Sequence, residues 1–176
     1  MSEPMLPRGQ LRLDGFDDVA GDPDRDTWCT PKFICDAIGE VDVDPCSNER
    51  SHVRARRTFR LDNGQDGLVL AKFVDRTSLV FVNPPYSRGE VVQWVRAYEH
   101  TRFIFLVRMD TSTAWFAELI RRTGMICVLR EQRTNFEPPP GVSGSSNAFP
   151  HGLFYADAAD ISDAIKNLCY RWRPER

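Results

Sequence analysis

Residues 77–83, TSLVFVN, form a continuous apolar and β-branched run that ends abruptly at two prolines. A strand of that composition is buried on both faces, which happens almost only where helices cover both sides of a sheet. A second such run, RFIFLVR at 102–108, lies beyond VVQWVRAYEH at 91–100, whose apolar residues recur at helical spacing. Two buried strands joined by an amphipathic helix predict parallel neighbours with a helical crossover. The pattern continues with TSTAWFAELIRRTG at 111–124, a helix bracketed by threonine caps and Gly124, and with strands MICVLRE at 125–131 and GLFYA at 152–156. Upstream, TPKFICDAIG at 30–39 predicts a short helix with Thr30 as N-cap, Pro31 at the first helical position and Gly39 as stop signal. VDVDP at 41–45 predicts a strand stopping at Pro45, and ADISDAIKNLCYRW closes the chain. The expected fold is α/β, a mostly parallel central sheet with helices on both faces.

A chain of 176 residues is large enough for one such domain without staples. Residues 1–26 carry glycine, proline and a string of acids with little periodicity, so they are expected to form a flexible acidic arm ahead of a single domain at 27–176. Five scattered cysteines with no CxxC pair favour neither a disulfide framework nor a zinc site, and no metal is expected. With no apolar run long enough to span a bilayer and no signal-peptide core, a cytoplasmic protein without membrane partners is expected. The net charge of −2 conceals an asymmetry: residues 1–49 hold 12 acids and 4 bases, residues 50–176 hold 13 acids and 19 bases. An anionic partner for the second part is therefore compatible with the total.

Asn83-Pro84-Pro85-Tyr86 stands where the apolar strand runs out, at the sheet end where α/β folds bind ligands. Two prolines fix φ and remove two N–H donors, leaving the Asn83 side-chain oxygen and the Pro84 carbonyl as acceptors beside the flat face of Tyr86. Two acceptors and a ring suit a planar group bearing NH2. The amine of adenine is a poor nucleophile because its lone pair is delocalised into the ring. Acceptors on both hydrogens favour the pyramidal form and free the lone pair for an electrophilic methyl, so catalysis would be orientation plus electrostatics.

With these residues in their order, the chain resembles the phage-type Dam-like DNA adenine-N6 methyltransferases, within the Rossmann-like class I methyltransferases that use S-adenosyl-L-methionine. The resemblance covers roughly Trp28 to Tyr155 and rests on Trp28-Cys29-Thr30-Pro31, Asp42-Val43-Asp44-Pro45-Cys46-Ser47, Asp66-Gly67-Leu68, Asn83-Pro84-Pro85-Tyr86, the stretch DTSTAWF from Asp110 to Phe116, and Arg133 with Phe136. It implies that Asp44, Pro45 and Cys46, or alternatively Asp42, meet the methionine part of the cofactor. It implies that Asp66 and Leu68 hold and cover its adenine ring, that Trp28, Thr30 and Pro31 line the methionine side, and that Asn83 faces cofactor and substrate alike. Asp-Gly turn formation and helix capping account equally well for Asp66 and Thr30. The glycine-rich loop usual after the first strand is replaced by Ser47-Asn48-Glu49-Arg50, and only 38 residues separate Asp44 from Asn83, so a shortened cofactor half is expected.

For DNA, the acid-free run RSHVRARRTFRL at 50–61 offers Arg54, Arg56 and Arg57 to phosphates; it serves equally as a solvated face or as a partner of the acidic arm. Arg88 is placed to meet the phosphate beside a target base, Arg133 to anchor phosphate or the 137–150 loop, and Tyr86 and Phe136 to stack a base that is flipped out or single-stranded. Trp115 reads as core by its neighbours. No added recognition domain fits into 176 residues, so short loops or an oligomer must supply any sequence reading, and a monomer and a homodimer both remain open. Alternatives are a methyltransferase for another planar NH2, in an RNA base or a protein glutamine, and a DNA-binding relative that has lost catalysis. Phage or prophage origin, with residence in a host cytoplasm and a link to restriction-modification, is implied by the resemblance alone.

Overall fold

The computed structural model describes residues 27–60, 63–86, 91–130, 134–142 and 150–174. Seven strands form one sheet in the order β2-β1-β3-β4-β6-β5-β7: β1 is Glu40–Ser47, β2 Arg54–Arg60, β3 Leu79–Val82, β4 Arg102–Arg108, β5 Met125–Leu129, β6 His151–Tyr155 and β7 Cys169–Trp172. The helices are α1 Lys32–Ile38, α2 Gly67–Leu70, α3 Val91–Tyr98, α4 Ala114–Arg122 and α5 Asp163–Leu168. Two clusters of buried side chains lie on opposite faces of the sheet. One joins Val80, Val82, Phe103 and Phe105 to Trp94, Val95 and Tyr98 of α3 and to Phe116 and Leu119 of α4. The other joins Phe81, Ile104 and Leu106 to Ile34 and Ala37 of α1 and Ile165 of α5. Trp115 packs against the first cluster, as its neighbours in the sequence predict.

The expectation of a mostly parallel sheet is corrected. β1 pairs in parallel with β2 and β3, and β3 with β4, but β6 runs antiparallel to both β4 and β5, and β7 antiparallel to β5. The reason is in the connections: a helix returns the chain between β3 and β4 and between β4 and β5, whereas no helix lies between β5 and β6 among the described residues, so β6 comes back the other way.

Two elements differ locally from the sequence pattern. β1 continues through Pro45 to Ser47 with an irregularity between Asp44 and Ser47. The arginine-rich run is not a loop but the edge strand β2, with Phe59 turned into the core and Arg57 stacked over its ring at 5.5 Å. The six residues from β1 to β2 begin with a turn, Ser51 N–H donating to the Asn48 carbonyl at 3.1 Å, and are held by side chains: Asn48 Oδ1 accepts from Arg50 N–H at 2.8 Å and Ser51 Oγ donates to Asp44 at 3.2 Å. That side-chain scaffold stands where a glycine-rich loop and a helix would be. Among the described residues from β1 to β3 there are only β2, the four-residue α2 and a 3-10 turn at Ala71–Phe73, a short connection of the kind the spacing leads one to expect.

Gly67 fixes where α2 sits. A Cβ at this position would lie 2.2 Å from the Pro45 carbonyl oxygen, and the Gly67 carbonyl accepts from the buried Tyr98 hydroxyl at 2.6 Å. Both obstacles are backbone or buried, so Gly67→Ala is expected to destabilise the fold by about 3 kcal/mol. Thermal or denaturant unfolding measures it, and a variant as stable as the parent would show that α2 is free to move.

Candidate active site at the carboxyl ends of the strands

Asn83 leaves β3 at the same rim as Asp44 of β1, and α1 brings Thr30 to it from across the sheet end. The Asn83 amide nitrogen donates to the Thr30 hydroxyl at 3.2 Å. Thr30 therefore does not cap α1 as the sequence predicts: Pro31 is the N-cap, with no side-chain bond, and the buried Thr30 hydroxyl is spent on Asn83 instead. With its nitrogen so anchored, Asn83 turns its Oδ1 away from Thr30, and no described residue bonds that oxygen or the Pro84 carbonyl.

Tyr86 is held more firmly than the motif alone implies. Its hydroxyl accepts from the Arg108 N–H at 3.0 Å, and the Arg108 guanidinium lies 4.2 Å from its ring centroid. One face of the ring is thus covered by a cation. Phe136 packs against the second core cluster and meets His151 edge-on at 5.1 Å, while Tyr86 packs against the first. The two aromatics expected to hold a base therefore approach the rim from opposite faces of the sheet, linked through the Arg108 and His151 pair of β4 and β6.

Asp44 is buried, 2% exposed, and accepts from Cys46 N–H at 3.1 Å and from the Ser51 hydroxyl. Burial outweighs these bonds and pushes its carboxyl up to about 6. Asp42, its alternative, is engaged elsewhere: it accepts from Leu79 N–H at 2.8 Å, at the start of β3, and faces Arg56 at 3.3 Å. The structure places Asp42 toward the amino end of β3, away from Asn83. Asp66 caps α2 by accepting from Leu68 N–H at 2.9 Å through one oxygen, and Leu68 packs against the first core beside Cys46.

The Trp28–Pro31 element is fastened by contacts that spacing along the chain does not reveal. Cys29 exchanges two backbone bonds of 2.9 Å with Glu137, and Arg50 donates to the carbonyls of Thr27 and Pro138 at 2.8 and 2.9 Å. Glu137 also accepts from Lys32 N–H and pairs with His52 at 2.7 Å, which holds its carboxyl below the usual range. Arg50 is thus a clamp between the two loops that carry Trp28 and Phe136. Its signal in the sequence was only membership of the basic run.

Of the arginines expected to meet DNA, Arg56 is paired with Glu40 at 2.9 Å and with Asp42 at 3.3 Å, both on β1. Arg54 stands opposite Glu40 at the amino end of β1 and Arg57 opposite Val43, with the Arg57 guanidinium over the Phe59 ring. Arg88, Arg133 and the arm at 1–26 lie outside the described residues. All five cysteines are free thiols, and burial pushes Cys35 and Cys127 up to about 12. Among the described residues no group of three or more His, Cys, Asp or Glu could hold a metal ion, and no helix is long and apolar enough to cross a membrane.

An α/β sheet covered on both faces, with an Asn-Pro-Pro-Tyr turn at the carboxyl end of a buried strand, fits the general class of methyltransferases acting on amines. The chain belongs to the DNA N-6-adenine-methyltransferase (Dam) family, whose model it matches over residues 19–156. No curated protein and no solved structure matches it.

Proposed function

We propose that the protein transfers a methyl group from S-adenosylmethionine to the exocyclic amine of an adenine in DNA. The observation that carries this reading is the Asn83 amide, anchored by nitrogen to Thr30 and presenting its oxygen with the Pro84 carbonyl at the strand end. A flipped or single-stranded adenine fits the requirement that the amine reach a site set in the rim of a sheet. The Asn83 oxygen and the Pro84 carbonyl accept its two N–H bonds, which localises the nitrogen lone pair. Tyr86, fixed by Arg108 and packed against the first core cluster, would border the base at the strand end, with Phe136 approaching from the other face of the sheet. The amine needs no strong base, since its proton becomes acidic only after methylation.

The donor set at β1 fits the cofactor. Asp44 supplies a buried carboxylate toward a cationic amino acid moiety, and Leu68 supplies an apolar cover for a purine. Asp66 keeps an oxygen that caps nothing, and Gly67 brings this cover into contact with Pro45. When bound, S-adenosylmethionine supplies the electrophilic methyl. The chain's own part is to orient the acceptor and to shield the site with the Trp28–Pro31 element clamped by Arg50.

Mass spectrometry of nucleosides from DNA of cells expressing the protein is the direct test. Adenine methylated at its exocyclic nitrogen is the expected product. Methyl transfer to RNA or to protein glutamine with unmodified DNA would refute the assignment, as would DNA binding without any heat of S-adenosylmethionine binding.

A further inference from the structure

β7 forms the far edge of the sheet and carries Tyr170, Arg171 and Trp172, followed by Arg173. Tyr170 is 55% and Trp172 44% exposed, and both are among the exposed large apolar side chains of the described residues. They pair with Val128 and Ile126 of β5, and the Arg130 guanidinium lies over the Tyr170 ring at 5.1 Å. Together with Met125 and Cys169 these residues line an open concavity of about 460 Å³. Among the described residues the lining contains three arginines and no carboxylate.

The position matters as much as the charge. β7 runs antiparallel to β5, so Tyr170 and Arg130 sit at the end of β5 that shares the rim with Asn83. Four strand steps separate β3 from β7, about 19 Å at the usual strand spacing. That is the length of about six nucleotides of a duplex strand. A second copy of the chain would bring three arginines against three arginines, which disfavours pairing of two such edges.

We infer that the β7 edge, through Arg130 and Arg171 with the Tyr170 donor, binds the phosphate backbone of DNA flanking the target, about six nucleotides away. This rests on the DNA reading proposed above and adds to it a contact that lengthens the footprint without reading bases. An arginine salt link to phosphate needs only the charge, whereas the Tyr170 hydroxyl hydrogen-bonds phosphate oxygens.

The test is the salt dependence of binding to duplexes of about 8 and about 20 base pairs, each contact contributing about 0.9 to the slope. Arg130→Gln with Arg171→Gln is expected to lower the slope on the long duplex by about 2 and to leave the short one unchanged. The corresponding Lys pair is expected to keep the parent slope, which separates lost charge from a disturbed fold. An unchanged slope on the long duplex, or an equal fall on both lengths, would overturn the inference. So would sedimentation showing a parent dimer that the Gln pair dissociates, since the edge would then join two copies. A length-dependent slope with no methylated adenine would leave this contact standing and refute the proposed activity; methylated adenine with an unchanged slope would do the reverse.

Discussion

Asn83→Ala is expected to lower the methyl-transfer rate by about 10²–10³-fold while leaving S-adenosylmethionine and DNA affinity within a few-fold. On the proposed reading the side chain supplies one of the two acceptors for the amine, and its contribution grows as the amine pyramidalises, so the loss falls on kcat rather than on KM. Single-turnover methylation alongside equilibrium binding separates the two. A variant that kept its rate would mean that the Pro84 carbonyl alone orients the amine; equal losses in rate and DNA affinity would mean that Asn83 holds the loop rather than the substrate. Thr30→Val sharpens the point. It removes the hydroxyl that fixes the Asn83 amide, so the amide is free to turn its nitrogen toward the substrate and present a donor where an acceptor is needed. A fall of about tenfold in kcat with KM little changed is expected, and Thr30→Ser should restore the rate because it keeps the hydroxyl. Unfolding measurements on both variants distinguish this from a buried polar change that merely loosens α1.

The sequence made the centre of this fold legible because β3, β4 and their crossover helix bury both faces of the sheet and so write unbroken apolar runs. The edges were not legible for the opposite reason. In β2, Arg54, Arg56 and Arg57 hide the strand behind charge, and only Phe59 and the half-buried Ala55 mark it. In β7, Cys169 alone is buried and Tyr170 and Trp172 are left outside, so no apolar strand pattern sets these residues apart within the closing segment ADISDAIKNLCYRW. Strand direction is absent from composition altogether. It was recoverable only from the lack of a helical pattern between β5 and β6, which permits an antiparallel return. The site divides in the same way. The acceptors of Asn83-Pro84 follow from local chemistry, whereas the Thr30 bond spans 53 residues, and the contacts of Arg50 and Glu137 that join the flanking loops span up to 105. For Asp66 the structure shows the capping that the sequence allowed, and Leu68 packs against the first core cluster.

Asp44→Asn is expected to make the free protein more stable at neutral pH and a poorer binder of S-adenosylmethionine. Burial raises the folded-state carboxyl from 3.8 to about 6, so between those values the folded chain holds more protons than the unfolded one. The stability of the parent should therefore fall as pH rises from about 4 to about 6 and stay at the lower level above. The ionised form is the costly one. A shift of this size corresponds to roughly 3 kcal/mol at pH 8. Asparagine has the same shape, keeps an oxygen for the Cys46 N–H and can donate to Ser51, so it removes the charge without emptying the site. The gain should vanish below about pH 4, where the parent is protonated in both states. For binding the order reverses: losing a charge-assisted bond to a cationic group should weaken cofactor affinity by about 10- to 100-fold. The parent itself should bind less well as pH drops through 6, a dependence absent in the variant. Unfolding across pH 4–8 without cofactor tests the buried charge, and calorimetry with S-adenosylmethionine over the same range tests its use. A stabilised variant with undiminished binding would show Asp44 to be a strain in β1 with no ligand to justify it, and would move the methionine contact elsewhere on the rim.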